Sequence, residues 1–424
     1  MIVRSSSAVK WLVWSLTILF LFYEFFIRVF PTAIVGDLML SFHVTALQLG
    51  TLSAFYFYAY APMQIPVGLL MDRFGARLLL TIACLLCAGG SFFFGLTEMI
   101  GLAQFGRFLM GVGSAFGFIG MVYISSHWFP AKQLALLVGL GNSIGMLGAV
   151  AAEGPMTVIV RHMGWRLPVV GLGIIGVLIA LFIYLAIRKE NAHEIKKGQV
   201  HKASVNLVNN LKQVCNHYRM WLNAFIALLF YMTTAGFASL WGIPFLVQSY
   251  GIDKELAGFI VSMIFVGWIV GGPIIGFISD HFKKRKPFLY ICTLLTALCL
   301  IPVIYLPEIP VFILFLLLFF VGVFSSAELL QFSLAVEFNP AHMKGTSIAM
   351  TNFIVAIGSS IVQPLLGFFL DMEWDGLIIE GLPFYSTAVY RKAMTLFPCA
   401  LFLAFILLFF LKEEKAQVKC PGKK

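Results

Sequence analysis

The sequence predicts an all-α integral membrane protein: twelve transmembrane helices in two six-helix bundles, with both termini cytoplasmic. Three observations predict it. The 424-residue chain is 60% hydrophobic and only 11% charged, whereas soluble domains carry about 25% charged residues. Apolar runs of bilayer-spanning length, roughly 20 residues, recur along the whole chain. The two halves also echo each other at a nearly constant offset.

The runs lie near 11–38, 46–71, 78–97, 100–128, 133–160 and 165–187, then near 219–248, 256–279, 287–306, 310–338, 345–370 and 388–411. Residues 1–187 therefore read as an N-terminal bundle and 188–218 as a cytoplasmic linker. Residues 219–411 form the second bundle and 412–424 a cytoplasmic tail. The first run lacks a small-residue cleavage pattern and exceeds a signal-peptide core, so it reads as a retained span. In the linker, Leu207, Val208, Leu211, Val214, Cys215 and Tyr218 recur at helical spacing. That pattern fits an amphipathic helix at the cytoplasmic interface or a solvated connection.

Basic residues orient the spans, because cytoplasmic loops are enriched in Lys and Arg. Of 29 such side chains, 22 fall in the segments assigned to the cytoplasm. Arg161, Arg166, Lys254, Arg391 and Lys392 fall outside, and Arg28 and Arg107 lie within helices. The net charge of +10 thus lines one membrane face and calls for no nucleic acid. Seven cysteines, sparse and odd in number, argue against a disulfide scaffold.

The repeat is visible at four loci. Pro130–Ala131 matches Pro340–Ala341, Asn142 matches Asn352 and Gly148 matches Gly358, all at an offset of 210. Gly68, Asp72 and Arg77 recur as Gly276, Asp280 and Arg285 at an offset of 208. Two bundles of like orientation form the parallel-repeat plan of many transporters, with the binding site at the midplane between them.

Five ionisable side chains lie far from any loop: Glu24, Arg28, Arg107, Glu153 and Glu328. A charge at a helix centre costs roughly 2.5–3.5 kcal/mol on insertion scales, so each calls for a partner or a purpose. Glu24 and Arg28 are four residues apart and share a helix face. Counting from the helix ends puts Arg28, Arg107 and Glu153 within about one turn of the same level. One reading is a structural ion-pair network joining the first, fourth and fifth helices. The other has Arg28 or Arg107 bind a solute carboxylate, because a guanidinium fits that group bidentately. Glu24, Glu153 or Glu328 then carries a coupling proton. Under the 210 offset, Glu24, Arg28, Arg107 and Glu153 map to Thr234, Ala238, Leu317 and Gln363. The charges are peculiar to one half while the scaffold matches occur in both, which favours the functional reading. Tyr23, Asn142, Tyr231, Trp241, Asn352 and Gln363 are further candidates for contact with solute. Gln331, Tyr56, Tyr58, Tyr60 and Trp268 are weaker ones; helix–helix hydrogen bonding and lipid contact compete for all of these.

The loop Gly68, Asp72, Arg73, Gly75, Arg77 has its own physical account. Asp72 sits at a helix end, where it can pair with Arg73 or Arg77 or cap a neighbouring helix, and the glycines permit close contact and a tight turn. Such pairs gate one side of the bundle, and Asp280 with Arg285 repeats the arrangement. For Lys283, Lys284 and Lys286, topology signalling is the better reading.

These residues resemble the major facilitator superfamily over nearly the whole chain. The Gly68–Arg77 loop looks like that family's signature between the second and third helices. Arg107-Phe-Leu-Met-Gly111-Val-Gly113 resembles its fourth-helix motif, and Trp128-Phe-Pro130 and Gly164-Trp-Arg166 resemble its loop elements. Gly154-Pro155 lacks the full glycine pattern of drug–proton antiporters, which counts against multidrug export. Tyr23-Glu24…Arg28 is similar to the first helix of anion:cation symporters, and more so to Pht-type intraphagosomal amino-acid transporters. Ser114 stands beside Gly113, near where some anion:cation symporters carry a protonatable Glu, so their coupling scheme does not transfer.

The resemblance implies a secondary active transporter in the bacterial inner membrane, working by alternating access and coupled to protons. Its expected solute is small and polar with a carboxylate, an amino acid or organic anion. The alternatives are an uncoupled facilitator or exporter and, from another class, a membrane sensor. No Walker loop, zinc-protease motif or nucleophile elbow occurs, so neither enzyme chemistry, cofactor nor metal is expected. Cys84 and Cys87 read as core packing. The expected partners are the solute, H+ and the bilayer, and no obligate protein partner is evident.

Overall fold

The computed structural model describes residues 7–187, 209, 211–340 and 343–412. In lipid every backbone N–H and C=O must be satisfied within its own segment, so the apolar runs become helices. They are α1 (Ser7–Phe42), α2 (Ala46–Met63), α3 (Ala76–Leu96), α4 (Ile100–Trp128), α5 (Lys132–Met163) and α6 (Arg166–Ala186). There follow α7 (Tyr218–Tyr250), α8 (Lys254–Phe282), α9 (Lys286–Tyr305), α10 (Val311–Glu337), α11 (Lys344–Met372) and α12 (Thr387–Phe410).

Among the described residues, eleven helices are long and apolar enough to cross a membrane. The helix outside that set is α2, whose Gln48, Thr51, Ser53, Tyr56, Tyr58 and Tyr60 dilute its apolar character. The expected span over 46–71 also breaks after Met63, resuming as a short helix, Val67–Phe74. Pro66 explains the break: it offers no amide and its ring clashes with the carbonyl four residues back. A hairpin between α11 and α12 departs from the all-helical expectation. Its strands β1 (Ile378–Ile379) and β2 (Leu382–Pro383) pair antiparallel. Glu380 and Gly381 both take positive φ at its tip, as a tight two-residue hairpin turn demands.

Side chains turned outward from α6, such as Ile174, Leu178, Leu181 and Leu185, are apolar and exposed, which suits hydrocarbon as the solvent. The linker pattern falls mainly on residues outside the described ones. Its helical end, residues 211–215, brings Val214 into a buried cluster with Met220, Ala224 and Met350. That end therefore packs on protein.

Helices α1–α6 pack chiefly on one another, as do α7–α12; between the sets α2 lies along α11, α5 against α8 and α1 against α7. Gly50 and Gly367 mark close α2–α11 approaches, where a Cβ would sit 2.5 Å from the Gln363 carbonyl oxygen and 2.3 Å from that of Ala46. At the end bearing Lys254, polar groups tie the sets together. Lys254 Nζ meets Asp37 Oδ2 at 2.5 Å, and Arg161 meets Glu255 at 3.3 Å. Asp371 accepts from the backbone amides of Ala46 (3.1 Å) and Leu47 (2.9 Å) at the start of α2, and from the Tyr385 hydroxyl. Towards the opposite end, Asn352 Nδ2 donates to Gln64 Oε1 at 2.7 Å across the same boundary.

Candidate functional site

The site grows from two prolines. Pro31 lies four residues after Ile27 and supplies no amide to the Ile27 carbonyl. The chain tightens there into a 3₁₀ stretch, Phe30–Ile34. A carbonyl left open in the membrane costs several kcal/mol, and Arg107 of α4 closes it. Its Nη1 donates to Ile27 O at 2.6 Å, and its Nη2 to Arg28 O at 3.2 Å and Ser53 O at 3.4 Å. The second proline, Pro244, lies four residues after Leu240 on α7, behind a π-helical stretch at Thr233–Trp241. Here the freed carbonyl is met from α1, by Thr32 Oγ1 at 3.1 Å. Two irregular helix segments thus face each other where the two sets of six meet.

One turn before Pro31, Arg28 forms an ion pair with Glu24. Tyr56 of α2 joins both: its hydroxyl accepts from Arg28 Nε at 3.1 Å and donates to Glu24 Oε1 at 3.1 Å. The Tyr60 and Phe25 rings flank the guanidinium, with centroids 4.8 and 4.6 Å from its Cζ. Gly111 lets α4 reach this place, since a Cβ there would collide with the Tyr56 carbonyl. The two arginines differ in access: Arg28 keeps 8% exposure and Arg107 none. The ring of Tyr231 on α7 packs edge-on against Trp268 of α8.

The expected four-charge network does not assemble. Arg107 spends its Nη1 and Nη2 donors on backbone carbonyls, and its Nε and both carboxylate oxygens of the fully buried Glu153 lack a partner among the described residues. Glu153 sits at a break in α5, beside Gly154, which lies against Phe259 of α8. Tyr23 turns away from Glu24 towards Ser91 of α3, 3.4 Å distant. Trp241 is fully buried and donates to the Gln363 carbonyl at 3.0 Å, while the Gln363 side chain donates to Ala235 O. Asn142 is half-buried on α5, and Asn352 holds Gln64. Tyr56 is the hub that sequence reasoning underweighted. Its i,i+4 spacing with Tyr60 was the available signal, since such a pair shares one face.

The two loop motifs also differ. Gly75 turns the chain with φ 77° and Gly68 is half-buried, but Asp72 makes no ion pair with Arg73 or Arg77 among the described residues. Arg77 donates instead to the Tyr184 carbonyl at 3.0 Å. In the second copy Arg285 meets Asp280 at 2.5 Å and Glu337 at 3.2 Å. Burial works against its charge, yet these two carboxylates hold the guanidinium pKa above its ordinary value.

A charged cluster where two sets of membrane helices face each other is the kind of place at which transporters bind solutes. The Major Facilitator Superfamily profile matches residues 15–363, and the chain belongs to that family. It is therefore a multi-pass membrane transporter and not an enzyme. It is 24% identical to the uncharacterized transporter YybO of Bacillus subtilis over 67% of this chain and 68% of that one. It is 28% identical to the probable galactarate/D-glucarate transporter GarP of Escherichia coli, over 60% of this chain and 62% of that one, less than two thirds of that relative's length. Among solved structures, a bacterial homologue of the human lysosomal transporter Spinster, inward-facing and occupied, superposes with TM-score 0.77 at 18% identity. That match covers 96% of this chain and 97% of the other. A D-xylose–proton symporter gives TM-score 0.72 at 15% identity, covering 96% and 98%.

Proposed function

We propose that the protein is a proton-coupled symporter that moves a small carboxylate-bearing solute by alternating access across the bacterial inner membrane. Residues 1–187 and 219–411 act as two six-helix bundles, giving twelve spans; residues 188–218 link them on the cytoplasmic side, where both termini lie. The observation that carries this reading is the Glu24–Arg28 pair sharing the Tyr56 hydroxyl at the boundary between the helix sets. A solute carboxylate competes with Glu24 for the fork of Arg28. Glu24, freed of its counter-ion in a buried place, then favours its protonated form. Solute and proton are thereby bound together. Relatives named for galactarate/D-glucarate, L-galactonate and sulfoacetate support an anionic solute. The nitrite extrusion protein of Bacillus subtilis, 22% identical, favours export as the second reading.

Purified protein in liposomes tests the proposal. An imposed inward pH gradient accelerates uptake of an organic acid, and Glu24→Gln abolishes that acceleration while leaving binding. Uptake that ignores the gradient in both proteins overturns proton coupling.

A further inference from the structure

Glu153 stands where α5 of the first half meets α8 of the second. The helix breaks at this residue, and the Glu153 side chain caps no amide of the segment that follows. Gly154 makes the crossing close. A Cβ on it would sit 2.5 Å from the Phe259 ring, and a Cβ on Gly258 of α8 would sit 3.0 Å from the Gly154 Cα. Glu153 has no exposed surface, and neither of its carboxylate oxygens has a partner among the described residues.

Helix α5 packs on α1, α4, α6 and α8, and the charged groups of these helices are engaged elsewhere. Arg28 pairs with Glu24, Lys254 with Asp37, and Arg161 of α5 itself with Glu255. Arg107 and Arg166 donate to backbone carbonyls, and Tyr23 meets Ser91. His162 is exposed, while Lys10, Tyr123, His127, Lys132, Tyr184, Asp280 and His281 lie towards the opposite ends of their helices. A buried carboxylate with neither cation nor donor costs several kcal/mol to ionise. In this packing Glu153 therefore carries its proton.

The second crossing between the halves supplies a control. At the 210 offset Glu153 corresponds to Gln363 of α11, which lies at the α2–α11 crossing beside Gly50. Glutamine has the shape of a protonated glutamic acid and cannot ionise. One seam thus holds a fixed neutral amide, the other a side chain that is neutral only while it keeps a proton.

We propose that Glu153 is a proton latch on the α5–α8 seam: the Lys254 end closes only when Glu153 is protonated, and parting the two helices admits water and releases the proton. That proton returns to the side it came from, so it sets when this end closes and is not carried across. The inference rests on alternating access as proposed above and leaves the coupling proton with Glu24.

Ile243, 2% exposed, lines a cleft at this end with Asp37 and Lys254. The test places a cysteine there, or at exposed Asp253 as the reference for thiol reactivity, in the full-length protein. Labelling by an impermeant thiol reagent is read by mass spectrometry. The corrected rate at 243 rises at least about fivefold from about pH 5 to about pH 8. Glu153→Gln makes the rate low and flat, and Glu153→Asp restores the slope. Infrared spectra of the solute-free protein show a protonated-carboxyl band that Glu153→Gln removes and Glu24→Gln keeps. A flat profile in the unaltered protein, a slope that survives Glu153→Gln, or the lack of such a band overturns the latch. In the liposome assay above, Glu153→Gln keeps the acceleration by the pH gradient that Glu24→Gln loses. The reverse pattern makes Glu153 the coupling group and overturns the latch. If both variants keep the acceleration while the labelling profile stands, the role of Glu24 fails and the latch survives.

Discussion

In the first half of the chain a proline opens a helix carbonyl and an arginine from the same half closes it. In the second half a proline opens a carbonyl and the hydroxyl that closes it comes from the other half. The contrast extends to the charges. Glu24, Arg28 and Tyr56 bond to one another and Arg107 bonds to backbone carbonyls, while Glu24 Oε2, Arg107 Nε and both carboxylate oxygens of Glu153 have no partner among the described residues. In the second half Asn223, Glu328 and Gln331 keep open valences. The two halves are furnished in two ways: the first holds Glu24, Arg28, Arg107 and Glu153, four of the five charged side chains buried within helices, while in the second Glu328 lies among neutral hydrogen-bonding groups such as Asn223 and Gln331. Two arginines at one level of the first half also do different work, since only Arg28 has its donors on exchangeable partners.

Breaking the first half at its charge pair has the largest effect. Arg28→Ala removes the carboxylate ligand and leaves Glu24 as an uncompensated buried charge, a change of about 3–5 kcal/mol. Transport falls below detection and thermal stability in detergent drops. The double variant with Glu24→Gln recovers the stability and not the transport. Recovery of both would make the pair purely structural.

Arg107→Ala separates the two arginines. Charge-assisted hydrogen bonds are worth about 1.5–3 kcal/mol each, and three carbonyls lose theirs. Thermal unfolding should shift strongly, with little change in solute affinity of the protein that remains folded. An affinity loss matching that of Arg28→Ala would erase the distinction.

Tyr56→Phe keeps the ring over the guanidinium and removes the shared hydroxyl. A hydrogen bond of about 1–1.5 kcal/mol predicts a roughly tenfold weaker solute affinity. Titrating uptake against pH checks the role further, because Glu24 then titrates without its second partner.

The smallest effect concerns the ends of the molecule. Asp371 caps the start of α2 and accepts from Tyr385, whereas Asp72 at the opposite end has no such bond among the described residues. Asp371→Ala removes a cap worth about 1 kcal/mol and should raise labelling of a cysteine placed at Gln248, which lines a cleft at that end with Asp37, Lys254 and Tyr385, by an impermeant thiol reagent about fivefold. Unchanged labelling would show that Asp371 does not hold that end closed.

Much of the architecture was legible in advance, because bilayer thickness dictates the length of an apolar helix and charge is too expensive in lipid to be placed idly. The helices, the duplicated loop and the short roster of intramembrane charges all followed from those two constraints. Partnership was not legible. Arg28 and Arg107 look alike in sequence, and their difference depends on a proline that frees a carbonyl of its own helix, α1, for Arg107 to meet from α4. Tyr56, Asn223 and Gln331 are ordinary polar residues until neighbouring helices show which of their atoms are satisfied. Sequence alone determined that the chain lives in lipid and which half holds most of its buried charge. Only the tertiary structure decided which guanidinium is reserved for backbone and which valences stay open, because hydrogen bonds between helices depend on distances of a few ångströms that spacing along the chain does not encode.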